Sequence, residues 1–150
     1  MNDSEKFVKD YTENLLTFFG LNVEVATQTN GTIINAAVPS TEMNGFLIGE
    51  HGNNLRAIQS LVRSALVNQN LEISRVSVDV ADYKKQQAER LTEEALTWIE
   101  EVIKSGEPKS LQPMNPADRR TVHQAVTDAD GVISESAGMG RERHVIIKVI

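Results

Sequence analysis

Two glycines three residues apart, in the run Phe46-Leu47-Ile48-Gly49-Glu50-His51-Gly52, constrain this chain more than any other feature. They close a short apolar stretch and open a long amphipathic one, so the segment is predicted to fold as helix, tight turn, helix. Asn53 is predicted as the N-cap of the second helix, whose apolar face reads Leu55, Ile58, Leu61, Val62, Ala65 and Leu66. Upstream, Phe7, Val8, Tyr11, Leu15, Phe18 and Phe19 fall at helical spacing over residues 4–19, and Gly20 stops the pattern. Val23 and Val25 then alternate with polar neighbours. Asn30-Gly31 separates them from a second extended run, Thr32 to Val38, which predicts a β-hairpin. Beyond the second helix, Val76, Val78 and Val80 alternate with Ser77 and Asp79, a half-buried strand. Residues 1–80 therefore form an α+β unit of three strands covered by helices on one face.

From 81 to 105 the pattern is helical again. Ala88, Leu91, Ala95, Trp98 and Val102 make a narrow apolar seam. This helix reads as a connector between two domains, and the seam could equally pack on a partner chain. A proline-containing loop over 106–114 follows. Asn115-Pro116-Ala117-Asp118 then places a cap, an N1 proline and an acid where a helix start needs them. That helix runs to about Thr127, and two β-like runs, Val132–Ser136 and Arg143–Ile150, flank Gly138-Met139-Gly140. The expected organisation is thus 1–80, a connecting helix 81–105, and a small α+β domain 106–150.

Charge qualifies any functional reading. Fifteen basic against 21 acidic side chains leave −6, whereas nucleic-acid binders usually carry a basic footprint. The imbalance is uneven. Residues 1–80 hold 5 basic and 9 acidic groups, 81–105 hold 4 and 6, and 106–150 hold 6 and 6, with Arg119, Arg120, Arg141 and Arg143 in two close pairs. A basic patch is therefore expected only in the last third. The absence of cysteine excludes disulfide frameworks, thiolate metal sites and cysteine nucleophiles. The polar, acidic start has no signal-peptide character, and no apolar run reaches the roughly 18 residues of a membrane helix. No membrane insertion and a cytoplasmic location are expected.

Two constellations carry chemistry. At Gly49-Glu50-His51-Gly52, missing side chains let a sugar-phosphate backbone approach, and amides at the following helix start face phosphate oxygens. Ile48, Asn53, Leu55 and Arg56 complete that candidate surface. Glu50 opposes it, since a carboxylate about 5 Å from a phosphate costs roughly 0.8 kcal/mol in water. The structural alternative is a tight inter-helix turn. The second constellation is Arg119 and His123, four apart on one helix face, with Arg120 beside them and Arg143 on the last strand. Guanidinium and imidazole bind phosphate and offer flat faces to bases. Here the alternative is that Arg119 pairs with an acid such as Glu135 while His123 packs. His51, His123 and His144 lack metal-ligand spacing, and neither a phosphate loop nor a nucleophile elbow is present. Neither an enzyme nor a cofactor is expected.

The stretch FLIGEHGNNLRAIQSLV resembles the core of a KH domain, and the element order resembles its bacterial, type II form. That resemblance implies a groove for about four nucleotides along Ile48, Gly49, Gly52, Leu55 and Ile58. The C-terminal LQPMNPADRRTVHQAV and SESAGMGRERHVIIKVI resemble the R-three-H domain, which implies a single-strand-binding role for Arg119, His123, Arg120 and Arg143. The combination is similar to the bacterial Jag (SpoIIIJ-associated) family, in a form without that family's extra N-terminal domain and basic linker. It implies single-stranded RNA as ligand, with single-stranded DNA as the alternative, and a small single-KH protein or a second copy as partner. The competing reading is a protein–protein scaffold on a KH-like fold with weak or lost RNA binding.

Overall fold

The side chain of Asn2 accepts the Glu5 amide at 2.7 Å, a cap worth about 1 kcal/mol, and starts α1 (Asp3–Thr17). The computed structural model describes residues 1–150, which divide into two units, Met1–Lys84 and Lys85–Ile150.

In the first unit α1 buries Ser4, Val8, Thr12 and Leu16, one stripe at four-residue steps. Strands β1 (Ala26–Asn30) and β2 (Ile33–Val38) form an antiparallel hairpin in which Asn30 faces Ile33. The loop is therefore Gly31-Thr32, one residue later than the expected Asn30-Gly31. β2 pairs in parallel with β3 (Arg75–Val80), from Ile33 opposite Arg75 to Val38 opposite Val80. A parallel pair needs a crossover, and α2 (Asn44–Ile48) and α3 (Asn53–Val67) supply it. The sheet order is β1-β2-β3. Ile34, Ala36, Val38, Val76, Val78 and Val80 share one buried cluster with Val8, Leu16, Leu47, Leu55, Ile58, Val62 and Leu66.

Three local expectations in this unit are corrected. Val23 and Val25 precede β1 because α1 takes the partners a strand would use. The Val25 amide donates to the Glu13 carboxylate at 2.8 Å, and its carbonyl accepts from Lys9 Nζ at 2.9 Å. Asn53 is the first residue of α3 and not its cap; that place falls to Gly52 in a left-handed conformation, φ 75°. Leu61 is 51% exposed, because the stripe Leu55, Ile58, Val62, Leu66 lies about 100° around the helix from it.

α4 (Tyr83–Ser105) starts in the first unit and from Lys85 on is part of the core of the second. Its Leu91, Ile99 and Val102 cluster with Leu111, Val122, Val126, Val132, Val145 and Ile147, and Trp98 packs against them. α4 thus runs from Tyr83 in the first unit into the second, and the seam read as a possible partner surface is covered by the chain itself. Inside the expected loop, β4 (Lys109–Ser110) pairs antiparallel with β6 (His144–Val149), which pairs antiparallel with β5 (Val132–Ala137), in the order β4-β6-β5. Between them α5 (Pro116–Thr127) starts at Asn115, whose side chain accepts the Asp118 amide at 2.9 Å, with proline at the first helical position. The whole chain is α+β, built on two small sheets. No helix is long and apolar enough to cross a membrane.

Candidate nucleic-acid interface

The turn of the first unit is built from left-handed backbone. Gly49 (φ 73°), His51 (φ 54°) and Gly52 (φ 75°) all lie at positive φ, where L side chains are disfavoured by about 1–2 kcal/mol each. Both glycines also face their own chain. A Cβ on Gly49 would lie 2.7 Å from the Asn54 side chain, whose amide donates to the Phe46 carbonyl at 2.7 Å. A Cβ on Gly52 would meet the Tyr83 ring at 3.1 Å and Arg56 Nη1 at 3.3 Å. Close packing within the unit therefore accounts for glycine at both positions.

What points outward is Glu50 and His51, whose side chains are 85% and 77% exposed with Nε2 3.7 Å from the carboxylate. Exposed Arg56 reaches back over the turn, donating from Nη1 to the His51 carbonyl at 2.9 Å and from Nη2 to Asn53 Oδ1. A cation from the next helical turn is thus tied to the backbone of the turn at His51. Ile48 is half-buried. Leu55 and Ile58, expected along a groove, are only 2% and 6% exposed. They belong to the core beneath the turn, because they lie on the face of α3 that meets the sheet.

In the second unit α5 and β5 bring the other set together. His123 Nδ1 lies 2.7 Å from Ser134 Oγ and Nε2 lies 2.7 Å from Ser136 Oγ. Ser134 and Ser136 share one face of β5 by its two-residue period. A neutral imidazole suits this pair: one ring nitrogen donates and the other accepts. Burial holds the ring below its ordinary pKa of 6.5, and the nearby Arg119 and Arg143 guanidiniums push it further down.

Arg119 is half-buried and donates from Nη1 to the Met114 carbonyl at 2.5 Å, while Arg143 donates from Nη1 to the Gly138 carbonyl at 2.9 Å. The expected Arg119–Glu135 pair does not form, since Glu135 takes Lys148 at 3.1 Å. Every ion pair in the chain is made by a lysine or by His51. No arginine has a carboxylate partner. Arg120 is exposed on α5. Sequence reasoning missed Ser134, Ser136 and the Met114 carbonyl; the alternation Ser134-Glu135-Ser136 was the only signal for the first two.

This unit is a small α+β fold with an arginine and a neutral histidine one helical turn apart, and residues 89–149 match the R-three-H domain family. Over 140 residues the chain is 28% identical to the RNA-binding protein KhpB of Streptococcus pneumoniae serotype 2, covering 93% of this chain and 42% of that protein. It is 29% identical over 142 residues to the RNA-binding protein KhpB of Clostridium symbiosum, covering 93% and 64%. With the KhpB of Bacillus subtilis the identity is 28% over 108 residues, covering 71% and 52%. The chain spans between 42% and 64% of the length of these relatives. The likeness supports the family resemblance drawn from the sequence and extends well beyond the R-three-H segment.

Proposed function

We propose that this chain is a non-catalytic, cytoplasmic single-stranded RNA-binding protein. It would hold phosphates on the Arg119 and Arg143 face of the second unit and at the Gly49–Gly52 turn of the first. The observation that carries the reading is the arginine pair. Arg119 and Arg143 each bond a backbone carbonyl, neither forms an ion pair with a carboxylate, and both act electrostatically on the His123 ring. Like charges gathered without counter-charge repel each other, so the arrangement gains most from an anion. Arg120 lies beside them on the exposed side of α5. His123 acts as a positioning residue here, since both ring nitrogens are used in joining α5 to β5.

The first unit fits a KH-type groove in its element order and in the parallel β2–β3 pair, with the turn at the start of α3. Arg56 would partly offset Glu50 there. The ligand is proposed as RNA because these relatives are RNA-binding proteins. Partner contacts, with a small single-KH protein or a second copy, would use surfaces other than the Leu91–Trp98–Val102 seam, which is core.

The test is equilibrium binding by fluorescence anisotropy to one oligonucleotide as single-stranded RNA, single-stranded DNA and RNA duplex, at two salt concentrations. Saturable, salt-sensitive preference for the single strand is expected. Equal affinity for duplex, or no binding at low salt, would remove the proposal and leave the scaffold reading.

A further inference from the structure

We infer that Met139 is a contact for the face of an unstacked base, a subsite that adds base contact to the phosphate-holding face and rests on the single-strand-binding reading. Met139 is 87% exposed, more than any other large apolar side chain of the chain, including those at its two ends. An apolar group so exposed on a loose loop would mean little. This loop is pinned.

Gly138 sits at φ 85°, and a Cβ there would come 3.0 Å from the Glu142 carbonyl. The Glu142 amide donates to the Met139 carbonyl at 3.2 Å, and the Arg143 amide donates to the Gly140 carbonyl at 3.3 Å. The Arg143 guanidinium closes the ring on the Gly138 carbonyl at 2.9 Å. Met139 itself is extended, φ −132° and ψ 146°, between two glycines at positive φ. The backbone therefore presents one residue outward, and that residue is a flexible thioether.

The same loop carries the cations. Arg143 directly precedes His144, which pairs with Ala137 beside the Ser136 that His123 meets, and exposed Arg141, two residues from Met139, has no carboxylate partner. A strand whose phosphates lie on Arg143 and Arg141 brings its bases within reach of the loop tip. Thioethers pack favourably on aromatic rings, and apolar wedges including Met are used against unstacked bases. Single-stranded RNA offers its bases splayed and open to such contact. Duplex keeps them stacked.

The experiment uses the full chain with the ε-methyl groups of Met1, Met43, Met114 and Met139 carbon-13 labelled, titrated with short oligoadenylate in ribose and deoxyribose forms. The base ring current should move the Met139 methyl signal upfield at saturation. An oligomer of equal length with abasic sugars should bind more weakly and leave that signal in place. Met139→Gln should weaken oligoadenylate binding about threefold to tenfold with an unchanged salt slope. An unmoved Met139 methyl, or full affinity in Met139→Gln, overturns the inference while Arg119→Gln still weakens binding. If the native chain binds no single strand at all, the functional reading falls with it.

Discussion

Replacing Arg119 by glutamine separates a phosphate contact from a merely structural arginine. Glutamine removes the charge but keeps an amide that can still donate toward the Met114 carbonyl, which Arg119 Nη1 reaches at 2.5 Å. A charge-assisted hydrogen bond contributes about 1.5–3 kcal/mol, and the half-exposed setting reduces this to about 1 kcal/mol, or roughly fivefold in affinity. Salt dependence is the sharper reading. Each phosphate contact to a single strand contributes about 0.7 to the slope of log affinity against log salt, so losing one makes binding about 2.6-fold less sensitive to a fourfold rise in salt. Arg143→Gln should do the same, and the double variant should lose about 1.4 of slope. The assay is anisotropy with single-stranded RNA between 50 and 200 mM salt, a range in which such contacts are read out, with thermal melts confirming an intact fold. Salt lines parallel to the native one, even at lower affinity, would show that neither arginine touches phosphate.

Three further outcomes follow from the same geometry. Glu50→Gln removes a carboxylate about 5 Å from a phosphate seated on the turn and should tighten single-stranded RNA binding about fourfold, or roughly 0.8 kcal/mol; an unchanged affinity would take RNA off the turn. His123 is held below its ordinary pKa of 6.5 by burial, Arg119 and Arg143, so its contribution to stability is complete above that value and is lost as pH falls below it, where the unfolded ring takes up the proton first. Denaturant unfolding should show this loss, and phosphates laid on the two arginines should move the ring's NMR titration upward; a midpoint indifferent to RNA would contradict their closeness. Gly52→Ala puts a methyl against Tyr83 and Arg56 at a backbone φ of 75° and should destabilise the first unit by about 1–3 kcal/mol in chemical denaturation; no loss would mean that the turn relaxes freely.

Local chemistry made most of the fold legible. Asn115-Pro116 marked the start of α5, and the alternating valines marked β3, because a cap and a two-residue period act over a few residues. What escaped the sequence depended on partners distant along the chain. Val25 alternates like a strand residue, yet Lys9 and Glu13 on α1 take its backbone groups. The seam of α4 had a visible spacing but no visible partner, and only the folded unit, with Leu111, α5 and strands β5 and β6, shows what covers it. β4, a two-residue strand, is too short to leave a pattern. Arg119 and His123 stood out by their four-residue spacing only together with the resemblance of the surrounding segments to the R-three-H domain. The serines that fix His123 and the exposure of Leu61 were not legible, since both depend on which face of an element meets the core.

The central claim, that Arg119 and Arg143 hold the phosphates of a single strand, is tested most directly at their own side chains. Nitrogen-15 NMR of the arginine Nε–Hε groups during titration with single-stranded RNA should shift the Arg119 and Arg143 signals to saturation, with Arg63 and Arg75 on the first unit as internal references. Saturable RNA binding with both signals unmoved would contradict the account.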